Sequence, residues 1–164
     1  MVINGTSGLT FPDATVQVTA AEGMTLLGTL ITTSGGTQIL SGLDLTDYKM
    51  VVIFINAIRH NSAIASWPRI LAETESVLLS LGVTTAPTSA DFCYGMVQID
   101  LTSGVINSNI GAINVAPPTP TFTAGASSIP RVGYGGWTTS TTSFYFTYAS
   151  GSFDAGSIVF YGVK

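Results

Sequence analysis

Residues 49–58, "KMVVIFINAI", restrict the possible folds more than any other stretch of the chain. Successive side chains of an extended chain point to opposite faces. Val51, Ile53 and Ile55 therefore share one face, and Met50, Val52 and Phe54 share the other. Both faces are apolar, which predicts a central strand covered on both sides. One cover would be an opposing sheet, and the other a connecting segment or a neighbouring subunit. The run is far too short for a membrane-spanning helix, which needs roughly 20 apolar residues.

The rest of the chain repeats the extended pattern. "MTLLGTLIT" (24–32) and "TQILSGLDL" (37–45) flank "TSGG", a turn signal, and Leu43 and Leu45 alternate with Asp44 and Thr46. "FCYGMVQIDL" (92–101) turns through "TSG" into "VINSN", with Val97, Ile99 and Leu101 facing in and Gln98 and Asp100 facing out. "SFYFTYA" (143–149) sets Phe144, Phe146 and Tyr148 against Ser143, Tyr145 and Thr147. After the turn "SGSFDAG", "SIVFYGV" (157–163) reads as a largely buried last strand. Residues 69–82, "RILAETESVLLSLG", fit either a helix or two short strands around "ETES", with strand or mixed structure preferred. Residues 115–130 are rich in Pro and Ser and read as a crossing loop. Regular short strands of this kind predict an all-β, antiparallel β-sandwich, jelly-roll-like, preceded by a short extended N-terminal segment. The 164 residues divide into that segment (1–21) and one sandwich domain (22–164).

Charge narrows the function. Only 9% of residues are Asp, Glu, Lys or Arg, against about 25% in a typical soluble domain. Such a neutral surface tolerates close contact with copies of itself, which favours an oligomer or a larger assembly. The five Lys and Arg are scattered and the net charge is −4, so no basic stripe awaits nucleic acid. "MVINGTSG" shows neither the positive region nor the apolar run of a secretory signal. Cys93 is the single cysteine, read as a small buried hydrophobe or as half of an intermolecular disulfide.

Catalytic chemistry finds little support. His60, the one histidine, reads as a side chain hydrogen-bonded to backbone. No Gly-x-Ser-x-Gly elbow is present, and "GYGGW" (133–137) does not fit a dinucleotide fingerprint. Glu73 and Glu75 would lie roughly 6–7 Å apart on one face of a strand, and read as a solvated face. Asp44 and Asp47 read as turn residues rather than a calcium site. No enzyme activity, metal or cofactor is expected. Trp67, Tyr134 and Trp137 are large aromatics near loops, able to stack on sugar rings or anchor an interface. Arg59, Asn61 and Arg131 are polar companions by residue type only.

Two stretches carry a resemblance. "INGTSGLTFPDATVQVTAA" (3–21) is similar to a short segment of bacteriophage tail fibres and related virion proteins, where a Gly-hydrophobic-Thr-Phe-Pro-Asp-Gly-Thr-x-Gln pattern precedes the terminal module. Leu9, Thr10, Phe11, Pro12, Asp13, Thr15 and Gln17 match, and Ala14 replaces the glycine. Residues 40–62 and the closing "FDAGSIVFYGVK" (153–164) resemble strands of phage fibre-tip sandwiches. The resemblance implies a virion structural protein, a homotrimer made in the host cytoplasm and carried on the particle surface. It also implies that Leu9, Phe11, Pro12 and Val16 pack against symmetry mates or other virion proteins of tail or capsid. With Met1 only a few residues before the motif, a short spike, a decoration protein or a cap is expected, rather than a full fibre. The expected work is host attachment through a surface glycan. The alternatives are head or tail decoration without receptor binding, or a stand-alone carbohydrate-binding module.

Overall fold

The computed structural model describes residues 2–4, 8–10, 16–17, 23–72, 79–81, 86–114, 121–122, 131–134 and 136–164. Every regular element among them is a strand. In chain order they are β1 (Val2–Asn4), β2 (Gly8–Thr10), β3 (Val16–Gln17), β4 (Thr25–Ile31), β5 (Thr37–Ser41), β6 (Met50–His60) and β7 (Pro68–Ala72). There follow β8 (Leu79–Ser80), β9 (Asp91–Asp100), β10 (Val105–Asn114), β11 (Thr121–Phe122), β12 (Arg131–Tyr134), β13 (Ser143–Tyr148) and β14 (Phe153–Val163).

From β4 onward the pairing is nested. β4 pairs with β14, β5 with β13, β6 with β9 and β7 with β8, all antiparallel. This is one long hairpin with the β7–β8 connection at its tip, and rolling it up distributes alternate rungs between two sheets. The roll also brings β6 beside β14 and β7 beside β13. The resulting orders are β4-β14-β6-β9 and β5-β13-β7-β8, eight strands in a jelly-roll sandwich. β10 extends the larger sheet beyond β9, and β11 and β12 both pair with β10. The fold is therefore an all-β antiparallel sandwich, as the strand pattern predicts.

The core lies between the sheets. Phe144 and Phe146 of β13 meet Phe160 of β14 at ring-centroid distances of 5.8 and 5.7 Å, the second pair edge to face. All three rings are fully buried. Val51, Ile53 and Ile55 line the same interior, and beyond Ile55 the buried set continues at Ile58 and His60. The step of three has a local cause. A bulge separates Ile55 from Ile58, with Ala57 at φ 53° facing Gly156 at φ 96° on β14. A Cβ on Gly156 would overlap the Ala57 carbonyl group, so only glycine fits there.

Several expectations find their outcome here. β6 is central, between β14 and β9, yet only one of its faces is fully covered: Phe54 remains 37% exposed on the other. Residues 69–82 contain two short strands, with Arg69 opposite Ser80 and Ile70 opposite Leu79; residues 73–78, with Glu73 and Glu75, lie outside the described residues. The strand expected over 37–45 stops at Ser41. Gly42 takes φ 74°, and the Asp44 carboxylate accepts the Thr46 N–H and hydroxyl, a local turn that competes with the ladder. The last strand starts earlier than expected, at Phe153, and passes through two register shifts. "TSGG" carries the chain from one sheet to the other, since β4 and β5 belong to different sheets.

At the N-terminus β1, β2 and β3 form a separate antiparallel meander. Leu9 stands opposite Gln17 and Thr10 opposite Val16, so β2 and β3 run antiparallel; residues 11–15, with Pro12 and Asp13, lie outside the described residues.

Phe160→Ala should lower unfolding free energy by about 3–5 kcal/mol through the cavity left between the sheets. Gly156→Ala should cost about 1–3 kcal/mol through backbone strain and collision at the bulge. Denaturant unfolding measures both; an unchanged midpoint for either would contradict the packing described.

Candidate functional site

The residues with the most chemical potential are committed to the core. His60 is fully buried. Its Nδ1 accepts the Ser62 N–H at 3.2 Å, and its Nε2 lies 3.1 Å from the Pro87 carbonyl, an arrangement suited to the Nε2-protonated tautomer. Its ring packs on Tyr148 at 4.8 Å. Cys93 is a buried free thiol, and burial pushes it up to about 12. The Tyr148 hydroxyl, raised above the ordinary tyrosine range first by burial, stands beside that thiol and finds no nitrogen or oxygen partner among the described residues. No three of His, Cys, Asp and Glu come together as a metal cluster among the described residues, and no helix there is long and apolar enough to cross a membrane.

The aromatic platform proposed from the sequence is corrected by the structure. Trp67 is 6% exposed and Trp137 is fully buried, both within the core cluster. An indole carries a large apolar surface, and enclosing it between sheets stabilises more than leaving it wet. Neither ring presents a face to a sugar. The two are also not brought together, since Trp67 adjoins Pro68, opposite Tyr148, whereas Trp137 precedes the other end of β13. Tyr134 pairs through its backbone with Val105 in β12. Leu9 and Val16 sit in the N-terminal meander, and Phe11 and Pro12 lie outside the described residues.

Two of the three polar companions, Arg59 and Asn61, are occupied as well, while Arg131 pairs through its backbone with Ser108. Arg59 forms a two-pronged pair with Asp154 at 2.9 and 3.0 Å, which raises its pKa further, and its guanidinium lies 4.7 Å over the Phe92 ring. The Asn61 side-chain oxygen accepts the Ser152 N–H at 2.9 Å.

A different site emerges on the outer face of the larger sheet. Phe54, Tyr94, Gly95, Met96, Asn109, Gly111 and Ile113 line a groove of about 450 Å³. The ladder explains its shape. Met96 on β9 stands between Asn109 on β10 and Phe54 on β6, so the last two lie about 10 Å apart across a methionine floor. One row away, about 7 Å along the strands, Tyr94 stands opposite Gly111, whose missing side chain leaves a hollow beside the phenol ring. Phe54 is held edge to face by Tyr161 at 5.8 Å. Gly95 lets the strands close up, because a Cβ there would fall on the Asn109 carbonyl. None of the lining residues is Asp, Glu, His, Lys or Arg.

The face continues toward the opposite edge of the sheet. Thr29 and Val159 follow Phe54 in register, and exposed Ile31 and Leu26 lie on β4. Alternation in "FCYGMVQIDL" puts Tyr94 and Met96 on the outward face with Gln98, whereas in "KMVVIFINAI" it only separates Phe54 from Val51, Ile53 and Ile55. The missing signal was register, which alone makes them neighbours. No family model matches the chain, and neither do the curated proteins or the solved structures compared with it.

The shifted thiol gives a pH dependence. The unfolded thiol ionises near 9 and the folded one near 12, so the unfolded state loses its proton first and stability falls as pH rises through that window. Unfolding followed from pH 8 to pH 11 should show this decline, with a shallower slope in Cys93→Ala. An identical slope would place the thiol in water.

Proposed function

We propose that the protein is a non-catalytic structural protein of a bacteriophage particle: a spike, short fibre or fibre tip that assembles as a homotrimer and attaches the particle to a host surface. The observation that carries this reading is the set of exposed apolar side chains on the outer face of the larger sheet: Leu26 and Ile31 on β4, Phe54 on β6 and Tyr94 on β9. A face of this kind favours contact with another molecule over solvation. Two further features support it. Jelly-roll sandwiches recur in viral and carbohydrate-binding proteins, and among the described residues the N-terminal meander pairs within itself, as a docking element ahead of the sandwich would.

Chemistry-bearing groups agree with binding as the work. His60 and Cys93 are buried in structural contacts, so the surface acts through shape and multiplicity. A trimer presents each site three times, and a particle many more, so weak single sites sum to firm attachment. Docking of the same face onto a capsid or tail would make the protein a decoration protein instead.

Light scattering on the full chain at micromolar concentration should give three times the monomer mass, and deletion of residues 1–21 should leave a folded sandwich that no longer forms trimers. Fluorescently labelled full-length protein should adhere to cells of at least one strain in a bacterial panel. A monomer at all concentrations contradicts the trimer, and adherence to no strain contradicts attachment.

A further inference from the structure

We infer that the groove between Phe54, Tyr94 and Asn109 is a binding site for an uncharged pyranose, at the end or within a short saccharide. The inference rests on the reading that this protein works by attachment, and names what the outer face holds.

The chemistry of the lining selects the ligand. A pyranose has an apolar face of C–H groups and a rim of hydroxyls that both donate and accept. The groove offers the complement: Phe54 and Tyr94, 37% and 36% exposed, as apolar walls, and the exposed Asn109 amide, which can donate and accept at once. Met96 forms an adaptable floor, and the hollow opposite Tyr94 at Gly111 admits a ring edge. Its volume of about 450 Å³ falls in the range of small-molecule sites. One wall and the strand spacing are fixed in advance: Tyr161 holds the Phe54 ring, and the close approach of Gly95 to the Asn109 backbone carbonyl sets β10 against β9.

Other occupants fit less well. No basic residue lines the groove to pair with a phosphate, sulfate or carboxylate, and Arg59 beyond Phe92 is already paired with Asp154. A peptide cannot add as a strand, because β6 and β9 have neighbours on both sides and their backbone groups are used in ladders. A purely aliphatic chain would strand the Asn109 amide without a partner.

The test is titration of the full-length protein with methyl glycosides of glucose, galactose, mannose and N-acetylglucosamine, and with glucuronate and N-acetylneuraminate, read by saturation-transfer NMR. At least one neutral glycoside should bind, more tightly than either acid. Tyr94→Ala and Asn109→Ala should each weaken it tenfold or more, and Gly111→Leu should abolish binding by filling the hollow. Tyr94→Phe, which keeps the ring, should retain most of the affinity. Melting temperature and native mass should stay unchanged in these variants. The inference is overturned if none of the neutral sugars binds, if the acids bind better, if the variants bind as the wild type does, or if Tyr94→Ala changes the native mass, which would make the groove a subunit contact. Cell adherence separates the two readings. Variants that adhere like wild type leave attachment standing and remove the groove, while sugar binding without adherence to any strain does the reverse.

Discussion

Everything else in the sandwich depends on the contact of Phe160 with Phe144 and Phe146. β13 and β14 follow each other in the chain yet belong to opposite sheets, so no ladder joins them. Side chains alone must hold the layers together, and the three buried rings supply that contact at the centre. With the layers fixed, β14 serves as the template on which β6 and β4 align, and β13 as the template for β5 and β7. Each later strand position follows from those two.

Much of this was legible in the sequence, and the reason is the two-residue period. Alternation in "SFYFTYA" marks Phe144, Phe146 and Tyr148 as one face, and all three are buried. The doubly apolar "KMVVIFINAI" marks a central strand, and β6 is one. What escaped was whatever breaks the period or depends on pairing. The bulge at Ala57 shifts the buried set from Ile55 to Ile58, and nothing in the local pattern signals it, because its cause, Gly156, lies on another strand. Strand 37–45 was overextended because leucines at 43 and 45 keep the alternation while Asp44 turns the backbone.

The site shows the same division. Trp67 and Trp137 draw attention because tryptophan is rare and the glycines around Trp137 suggest a loop, but the core takes both indoles. Phe54, Tyr94, Met96 and Asn109 look ordinary in sequence. They become a site only through the register that sets Asn109 opposite Met96 and Met96 opposite Phe54. Burial of His60 and Cys93 fits the same pattern, with polar or reactive groups used to seal the interior.

The place of β10 in the chain has an evolutionary consequence. Its segment lies between β9 and β13, outside the four nested pairs that define the roll, and adds to the sheet at its margin. It nevertheless contributes Asn109, Gly111 and Ile113, nearly half of the groove lining. Substitutions in the outward positions of β10 can therefore change what the groove accepts while the nested pairs that set the fold keep their register. Inward positions such as Ile106 and Ile110 remain under the constraint of the core. One strand thus carries two selective regimes on alternate residues: its inner face inherits the scaffold, and its outer face is free to diversify as the surfaces it meets change.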